Sequence, residues 1–196
     1  LPGVRRMILF IHGFASLGLG MKSMALRDYF GADQVLLPNL SHAPATAIRE
    51  LEALLERHPV DLLVGSSLGG YYATWLNRQT SRPAVLINPA VAPFALLDDY
   101  LGEHTRPDGS RFELTAQHLA SLHSLQRPSL REEERYLVLL QSGDEVLDYR
   151  QAATYYAAKD VVIEPGGDHR FQHFENHLPR IAAWREQNAK ETQSAS

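Results

Sequence analysis

Short apolar runs recur along the chain, and the spacing between most of them leaves room for a helix. Each run has the length of a strand and is nearly continuous, which is typical of strands buried on both faces in a parallel sheet. The six runs are MILFIHGF (7–14), DQVLLPNL (33–40), DLLVGSS (61–67), PAVLINPA (83–90), RYLVLLQSGDE (135–145) and DVVIEPGGDH (160–169).

Helical patterns occupy the stretches between these runs. In ATAIRELEALLERH (45–58) the apolar residues recur at helical spacing, and helices are also expected over 68–79, 149–159 and 175–190. Alternating strands and helices predict βαβ units, and therefore a mostly parallel, doubly wound α/β sheet of about six strands. The chain has 196 residues, which suits a single domain over 1–196.

One long insertion interrupts this alternation. Residues 91–134 separate the fourth and fifth runs, and the segments APFALLDDYLGEH and LTAQHLASLHSL have a helical pattern. TRPDGSRF between them has the composition of a turn. Because long insertions in compact domains are often functional, 91–134 is predicted to be a helical lid or cap.

Composition excludes several classes of function. The net charge is −4 and no basic cluster is present, which argues against nucleic acid as a partner. The apolar runs are too short to span a membrane. The chain has no cysteine, so disulfides, zinc–thiolate sites and a cysteine nucleophile are excluded. The opening LPGVRRMILFIHGF lacks the small-residue cleavage site of a secretory signal peptide. A cytoplasmic location is therefore expected.

A candidate nucleophile lies in GSSLG (65–69), which reads as G-x-S-x-G with Ser67 at its centre. The alternative frame centred on Ser66 fails, because Val64 stands where a glycine is needed. A nucleophile at a sharp strand-to-helix turn has strained backbone angles, and the residues two positions away come very close together. The preceding strand and the following helix provide this context, so a nucleophile elbow is favoured over a plain glycine turn.

A serine nucleophile needs a base, and the base needs an acid to orient it. In this architecture the expected chain order is Ser, then Asp or Glu, then His. Asp144 follows the fifth run and His169 follows the sixth, so both lie where ligands meet open α/β sheets. Asp148 and Glu145 are alternatives for the acid, and Asp144 is favoured because Asp148 lies further into the next helix.

The histidines after His169 allow a second interpretation. His173 and His177 follow at intervals of four residues, which could align three metal ligands along a helix. The glycine pair at 166–167 instead places His169 in a loop, so no metal and no cofactor is expected. Asp168, beside the base, is expected to be a loop or capping residue.

The oxyanion of an acyl intermediate needs backbone N–H groups directed at it. One is expected from Leu68, directly after the nucleophile, and the other from Phe14 in the loop FIHGFAS after the first strand. His12 in that loop is expected to brace it rather than to act as a second base.

Several segments together resemble the YqiA-type esterases, a family of small bacterial α/β-hydrolases, from about residue 7 to residue 184. They are ILFIHGFAS, VGSSLGGYYATWL, LLQSGDEVLDYRQA and GGDHRFQHFE. The resemblance implies a compact α/β-hydrolase fold and esterase activity on acyl esters, with acyl-CoA thioesters as a further substrate class. It carries over Ser67 as nucleophile, Asp144 as acid and His169 as base. One departure is Asp168, where such proteins often have Asn.

The sequence therefore predicts a serine hydrolase of the carboxylesterase or thioesterase type that acts on a small acyl ester through a covalent acyl-enzyme. Acyl transfer or carbon–carbon bond hydrolysis on the same triad is an alternative. Another is a binding protein on a hydrolase scaffold with weak or no catalysis.

Overall fold

A computed structural model describes residues 5–194 of the chain, with the side chains of residues 5–188. Its main sheet has six strands, all parallel, in the order β2-β1-β3-β4-β7-β8. These strands are β1 (Met7–Ile11), β2 (Val35–Leu36), β3 (Val60–Ser66), β4 (Ala84–Ile87), β7 (Tyr136–Gln141) and β8 (Asp160–Glu164), while β5 (Gly102–Thr105) and β6 (Arg111–Leu114) form a separate antiparallel hairpin. The predicted parallel α/β sheet is thus confirmed.

Helices cover both faces of the main sheet. The α-helices are α1 (Met21–Phe30), α2 (Pro44–Arg57), α3 (Leu68–Thr80), α4 (Pro93–Leu96), α5 (Ala116–Ser124), α6 (Tyr149–Tyr155) and α7 (Leu178–Ser194). In β7, Val138 and Leu140 belong to a core cluster with α2, α3, α5 and α6, whereas Leu137 and Leu139 belong to a second cluster with α1 and α7. Burial on both faces explains why the strand runs are almost continuously apolar. No helix within residues 5–194 has both the length and the apolar character needed to cross a bilayer.

Two elements differ from the sequence expectation on the β1 side of the sheet. The run 33–40 contributes only the two residues of β2, because a 3₁₀ turn over Ala32–Gln34 precedes it and Pro38 follows. Helix α1 was not predicted. It buries only Ser23 and Leu26, so its sequence carries almost no apolar periodicity.

The insertion 91–134 is not wholly helical, which corrects the sequence prediction. Residues 93–100 are helical and α5 follows later, but the end of APFALLDDYLGEH becomes strand β5. Strand β5 pairs with β6, and the turn of this hairpin lies within TRPDGSRF, over residues 106–110. Alternate half-buried and exposed residues over Gly102–Thr105 explain the strand, since one face of the hairpin packs on the domain.

The strand order reverses beside β1. From β1 the chain first adds β2 at one edge, then returns to β3 on the other side of β1 and continues outward to β8. In open α/β sheets, ligands bind outside the carboxyl ends of the strands at such a reversal. The loop after β1 and the turn after β3 meet at this position.

Candidate active site

Ser67 occupies a strained turn between β3 and α3. Its φ of 56° and ψ of −118° lie outside the regions that L residues ordinarily adopt. A Cβ added to Gly65 would lie 2.4 Å from the carbonyl oxygen of Gly69, and a Cβ added to Gly69 would lie 1.9 Å from that of Ile11. The close approach predicted for these glycines is confirmed, and it explains why neither position can carry a side chain.

Three predicted side chains meet in a chain of hydrogen bonds. His169 Nε2 lies 3.1 Å from Ser67 Oγ, and His169 Nδ1 lies 2.9 Å from Asp144 Oδ2. Because Nδ1 faces a carboxylate, it carries the proton, and Nε2 is free to accept the serine O–H. The Asp144 side chain is only 2% exposed, while His169 is 22% exposed toward the cavity. Asp144 is held by the N–H groups of Val146 and Leu147, which donate to its Oδ1.

The two alternative acids have other partners. Asp148 is the N-cap of α6, where its Oδ1 accepts the Arg150 N–H and its carboxylate pairs with the Arg150 guanidinium. Glu145 accepts the backbone N–H of His169 at 3.0 Å, so it holds the histidine loop and not the imidazole. The structure therefore brings Asp144 to His169, and neither alternative reaches the ring.

Leu68 and Phe14, whose N–H groups are expected to bind an oxyanion, directly follow Ser67 and Gly13. Leu68 is the first residue of α3, so its N–H has no acceptor within the helix. Phe14 follows Gly13, whose Cβ position would lie 3.4 Å from the Cβ of Ser67. The absence of a side chain at Gly13 thus lets the loop after β1 come close to the nucleophile candidate.

His12 braces this loop, as expected from the sequence. Its Nδ1 lies 2.8 Å from the carbonyl oxygen of Gly13, and its Nε2 accepts the N–H of Leu40. Burial lowers the pKa of His12, which keeps the ring neutral and able to make both contacts. The loop after β1 is in this way tied to the loop after β2.

Sequence reasoning missed two residues that hold the loop of His169. The Asn88 amide donates to the carbonyl oxygens of Asp168 and His169 and accepts the N–H of Gln141. The Gln141 side chain accepts the N–H groups of Asp168 and Gln172. Both are buried polar residues, which is a signal of such a role only once their distant partners are known.

The later histidines do not converge on His169. His177 bonds to Glu164 at 2.7 Å, and His173 lies near Glu175 at the surface. Residues 5–188 hold no group of three His, Asp or Glu side chains arranged for a metal ion. Asp168 lies in the loop and accepts a hydrogen bond from Gln172, in agreement with its predicted loop role.

Ser67 and His169 open onto a cavity of about 460 Å³. The insertion supplies part of its wall through Leu96, Leu97 and Tyr100, and Val146 lies on the same cavity. The remaining lining residues are Gly13, Phe14, Ser16, Lys22, Ser66 and Arg170.

The hairpin of the insertion packs against the loop after β1 through aromatic rings. Phe14 makes edge contacts with His104 and Phe112, at centroid distances of 4.9 and 5.6 Å. Phe112 also stacks with His42 at a centroid distance of 5.0 Å, and Arg106 lies over the Phe112 ring. The ring of Phe14 is therefore fixed by the insertion, which restrains the backbone that carries its N–H.

Solved structures with the same architecture include esterases. The chain is similar to Est1E from Butyrivibrio proteoclasticus, with a TM-score of 0.70 and 16% identity over 98% of this chain and 90% of that one. It is also similar to the esterase domain of a Rhodothermus marinus protein, with a TM-score of 0.70 and 20% identity over 94% and 88%. These likenesses show that the fold is an α/β-hydrolase fold.

Relatives at the sequence level match nearly the whole chain. A UPF0227 protein of Citrobacter koseri is 26% identical over 187 residues, which cover 91% of this chain and 98% of the relative. The YcfP protein of Salmonella arizonae matches with the same identity and coverage. The profile of the "Uncharacterised protein family (UPF0227)" matches residues 7–186. The chain therefore belongs to the UPF0227 family, which confirms the resemblance to YqiA-type proteins at the level of the family.

Proposed function

We propose that this chain is a serine hydrolase that cleaves carboxylic acyl esters, with acyl-CoA thioesters as a further substrate class. The observation that supports the proposal most directly is the hydrogen-bonded series Ser67–His169–Asp144, with heavy-atom distances of 3.1 and 2.9 Å. The esterase structures that share the fold support the same reaction class by analogy.

In the first half-reaction, His169 Nε2 takes the proton of Ser67, and Ser67 Oγ attacks the acyl carbonyl carbon. The carbonyl oxygen becomes an oxyanion that accepts hydrogen bonds from the N–H groups of Phe14 and Leu68. Collapse of this intermediate breaks the bond to the leaving group, and His169 returns the proton to the departing alcohol or thiol. Asp144 holds the imidazole in the required tautomer and stabilises the imidazolium.

In the second half-reaction, water replaces the leaving group. His169 removes a proton from the water, the resulting hydroxyl attacks the Ser67 acyl-enzyme, and the same two N–H groups hold the second oxyanion. When this intermediate collapses, the bond between Ser67 Oγ and the acyl carbon breaks, His169 returns the proton to Ser67 Oγ, and the carboxylic acid is released.

The apolar side of the cavity accounts for binding of an acyl chain. Leu96, Leu97 and Val146 line it beside Ser67, and Tyr100 adds an aromatic ring. A series of para-nitrophenyl esters of increasing chain length, together with the matching acyl-CoA thioesters, measures how much chain this wall accepts. Acyl-CoA turnover that depends on Ser67 would support the thioester part of the proposal. The cytoplasmic location expected from the sequence stays a prediction.

Covalent capture tests the proposed function. An alkyl fluorophosphonate is expected to add once per chain, and mass spectrometry of the digested protein should place the adduct on Ser67. A chain unfolded in denaturant is the control, because labelling requires the folded arrangement of Ser67 and His169. A folded protein that remains unlabelled would support a non-catalytic binding protein instead.

Replacement of the acid distinguishes Asp144 from its alternatives. Asp144→Asn is expected to lower kcat for a short-chain ester by about 10³- to 10⁴-fold, because the amide favours the wrong imidazole tautomer. Asp148→Asn is the matched control, since Asn is also a good N-cap, and its kcat should stay within about threefold of wild type. Comparable losses in the two variants would contradict the assignment of Asp144.

A further inference from the structure

Two cationic side chains line the cavity beside Ser67 without a partner. Lys22 is half-buried on α1, and Arg170 directly follows His169. Within residues 5–188 neither makes a hydrogen bond or an ion pair with another side chain. Some other cations form ion pairs, as Arg78 does with Glu134 and Arg185 does with Asp61. Lys22 and Arg170 have no such pair within residues 5–188 and line a cavity, so an anion in that cavity could reach both.

The same cations also line an adjoining cavity of about 220 Å³ on the α1 side. The two cavities share a wall formed by Gly13, Ser16, Lys22, Ser66 and Arg170. Neither cavity is lined by an Asp or Glu of the described chain. The shared wall thus combines two positive charges with two serine hydroxyls, all of them hydrogen-bond donors.

The carboxylate of Asp168 acts on the charge of Lys22 without an ion-pair contact. Burial lowers the pKa of Lys22, the nearby charge of Asp168 opposes this shift, and Arg170 adds to it. Asp168 accepts a hydrogen bond from Gln172 and forms no ion pair with Lys22. A partly desolvated ammonium without an ion-pair partner gains more from a bound anion than an exposed one does.

We propose that Ser16, Lys22, Ser66 and Arg170 form an anion subsite of the hydrolase, and that its preferred substrates carry a carboxylate or phosphate beside the scissile ester. This inference rests on the proposed function for its substrate class, but the subsite itself is defined by the cavity. Leu96, Leu97 and Val146 line the first cavity but not the adjoining one, whereas Lys22 and Arg170 line both. A substrate with one charged end and one apolar end would match this distribution.

Binding without turnover tests the subsite independently of catalysis. Titration calorimetry with adipate and with inorganic phosphate is expected to show saturable binding to wild type and to Ser67→Ala alike. Lys22→Met and Arg170→Met should each weaken binding about tenfold or more, because each removes a charge-assisted hydrogen bond. Arg27→Met is the matched control. It removes one positive charge from the same helix at a residue that lines neither cavity, and its affinity should stay within about twofold.

Selectivity between matched esters shows where the anion lies on the substrate. Para-nitrophenyl hydrogen adipate against its methyl ester places the charge on the acyl side. Meta-butyryloxybenzoate against its methyl ester places it on the leaving group. The charged member of at least one pair is expected to have a kcat/KM about tenfold higher, and Lys22→Met and Arg170→Met should reduce this ratio while Arg27→Met keeps it. Because a ratio is measured within each variant, a general loss of activity does not imitate the result.

The outcomes separate the subsite from the hydrolase. Anion binding that is lost in Lys22→Met and Arg170→Met, in a protein that hydrolyses no ester, would retain the subsite and overturn the proposed function. Ester hydrolysis without anion binding or charge preference would retain the function and overturn the subsite. Unfolding transitions of both variants close to that of wild type ensure that the loss of binding is not a loss of fold.

Discussion

Ser67→Ala is expected to lower kcat for a short-chain ester by about 10⁴- to 10⁶-fold, to a rate set by the remaining binding groups. The change removes the oxygen that lies 3.1 Å from His169 Nε2, and no other hydroxyl takes its place in that hydrogen bond. The backbone of Ser67 has a φ of 56°, which alanine adopts at a similar cost to serine, so the fold should be kept. Steady-state kinetics and the unfolding transition of the same preparation measure the two effects separately.

The neighbouring serine provides the comparison for this prediction. Ser66→Ala leaves the nucleophile and the base in place, so its kcat should remain at least about a hundredfold above that of Ser67→Ala. A Ser67→Ala protein with wild-type turnover would show that another group carries the reaction. Equal losses in both variants would point to damage of the turn and not to removal of a nucleophile.

Gly69→Ala is expected to cost about 3 kcal/mol or more in the free energy of unfolding, because the new methyl group overlaps fixed backbone. Its Cβ would lie 1.9 Å from the carbonyl oxygen of Ile11 and 2.8 Å from that of His12. Ile11 is fully buried at the end of β1, so the strand cannot withdraw without loss of packing. Urea unfolding measures the change, and activity should fall as well because β1 leads into the loop that carries Phe14.

A second glycine gives the control for the added methyl group. No heavy atom lies within 4 Å of a Cβ placed on Gly20, and its φ of −163° is extended backbone open to any residue. Gly20→Ala should therefore change the free energy of unfolding by less than about 1 kcal/mol, mainly through a weaker N-cap of α1. A Gly69→Ala protein as stable as Gly20→Ala would show that β1 and α3 are less tightly packed than the structure indicates.

The main sheet could be predicted from the sequence because the burial of each strand is visible in its own residues. Strands such as β7 are buried at every position, so each appears as a continuous apolar run without reference to distant residues. The hairpin β5–β6 could not be predicted in the same way. Its first strand has the sequence GEHT, and its strand character depends on pairing with Arg111–Leu114 and on contacts with Phe14.

Some residues of the candidate site could be predicted from local sequence, and others could not. The positions of Ser67, Asp144 and His169 were predictable, because each follows a strand and their order along the chain matches a known arrangement. The support of the His169 loop was not predictable, since Asn88 lies 80 residues before the Asp168 carbonyl to which it donates. The placement of Lys22 in the cavity was also not predictable, because it depends on α1, and the sequence of α1 has little amphipathic character.

The placement of His169 depends on β8, a strand at the edge of the sheet. This strand pairs only with β7, and its residues are half-buried or exposed, yet the loop after it supplies His169, 102 residues beyond Ser67. A nascent chain can therefore bury most of its core before the base has been synthesised. In the finished protein, local opening at this edge would move His169 away from Ser67 while the first core cluster, whose buried members end at Tyr156, stays packed. Loss of hydrolysis is then an earlier sign of heat or denaturant damage than loss of helical signal.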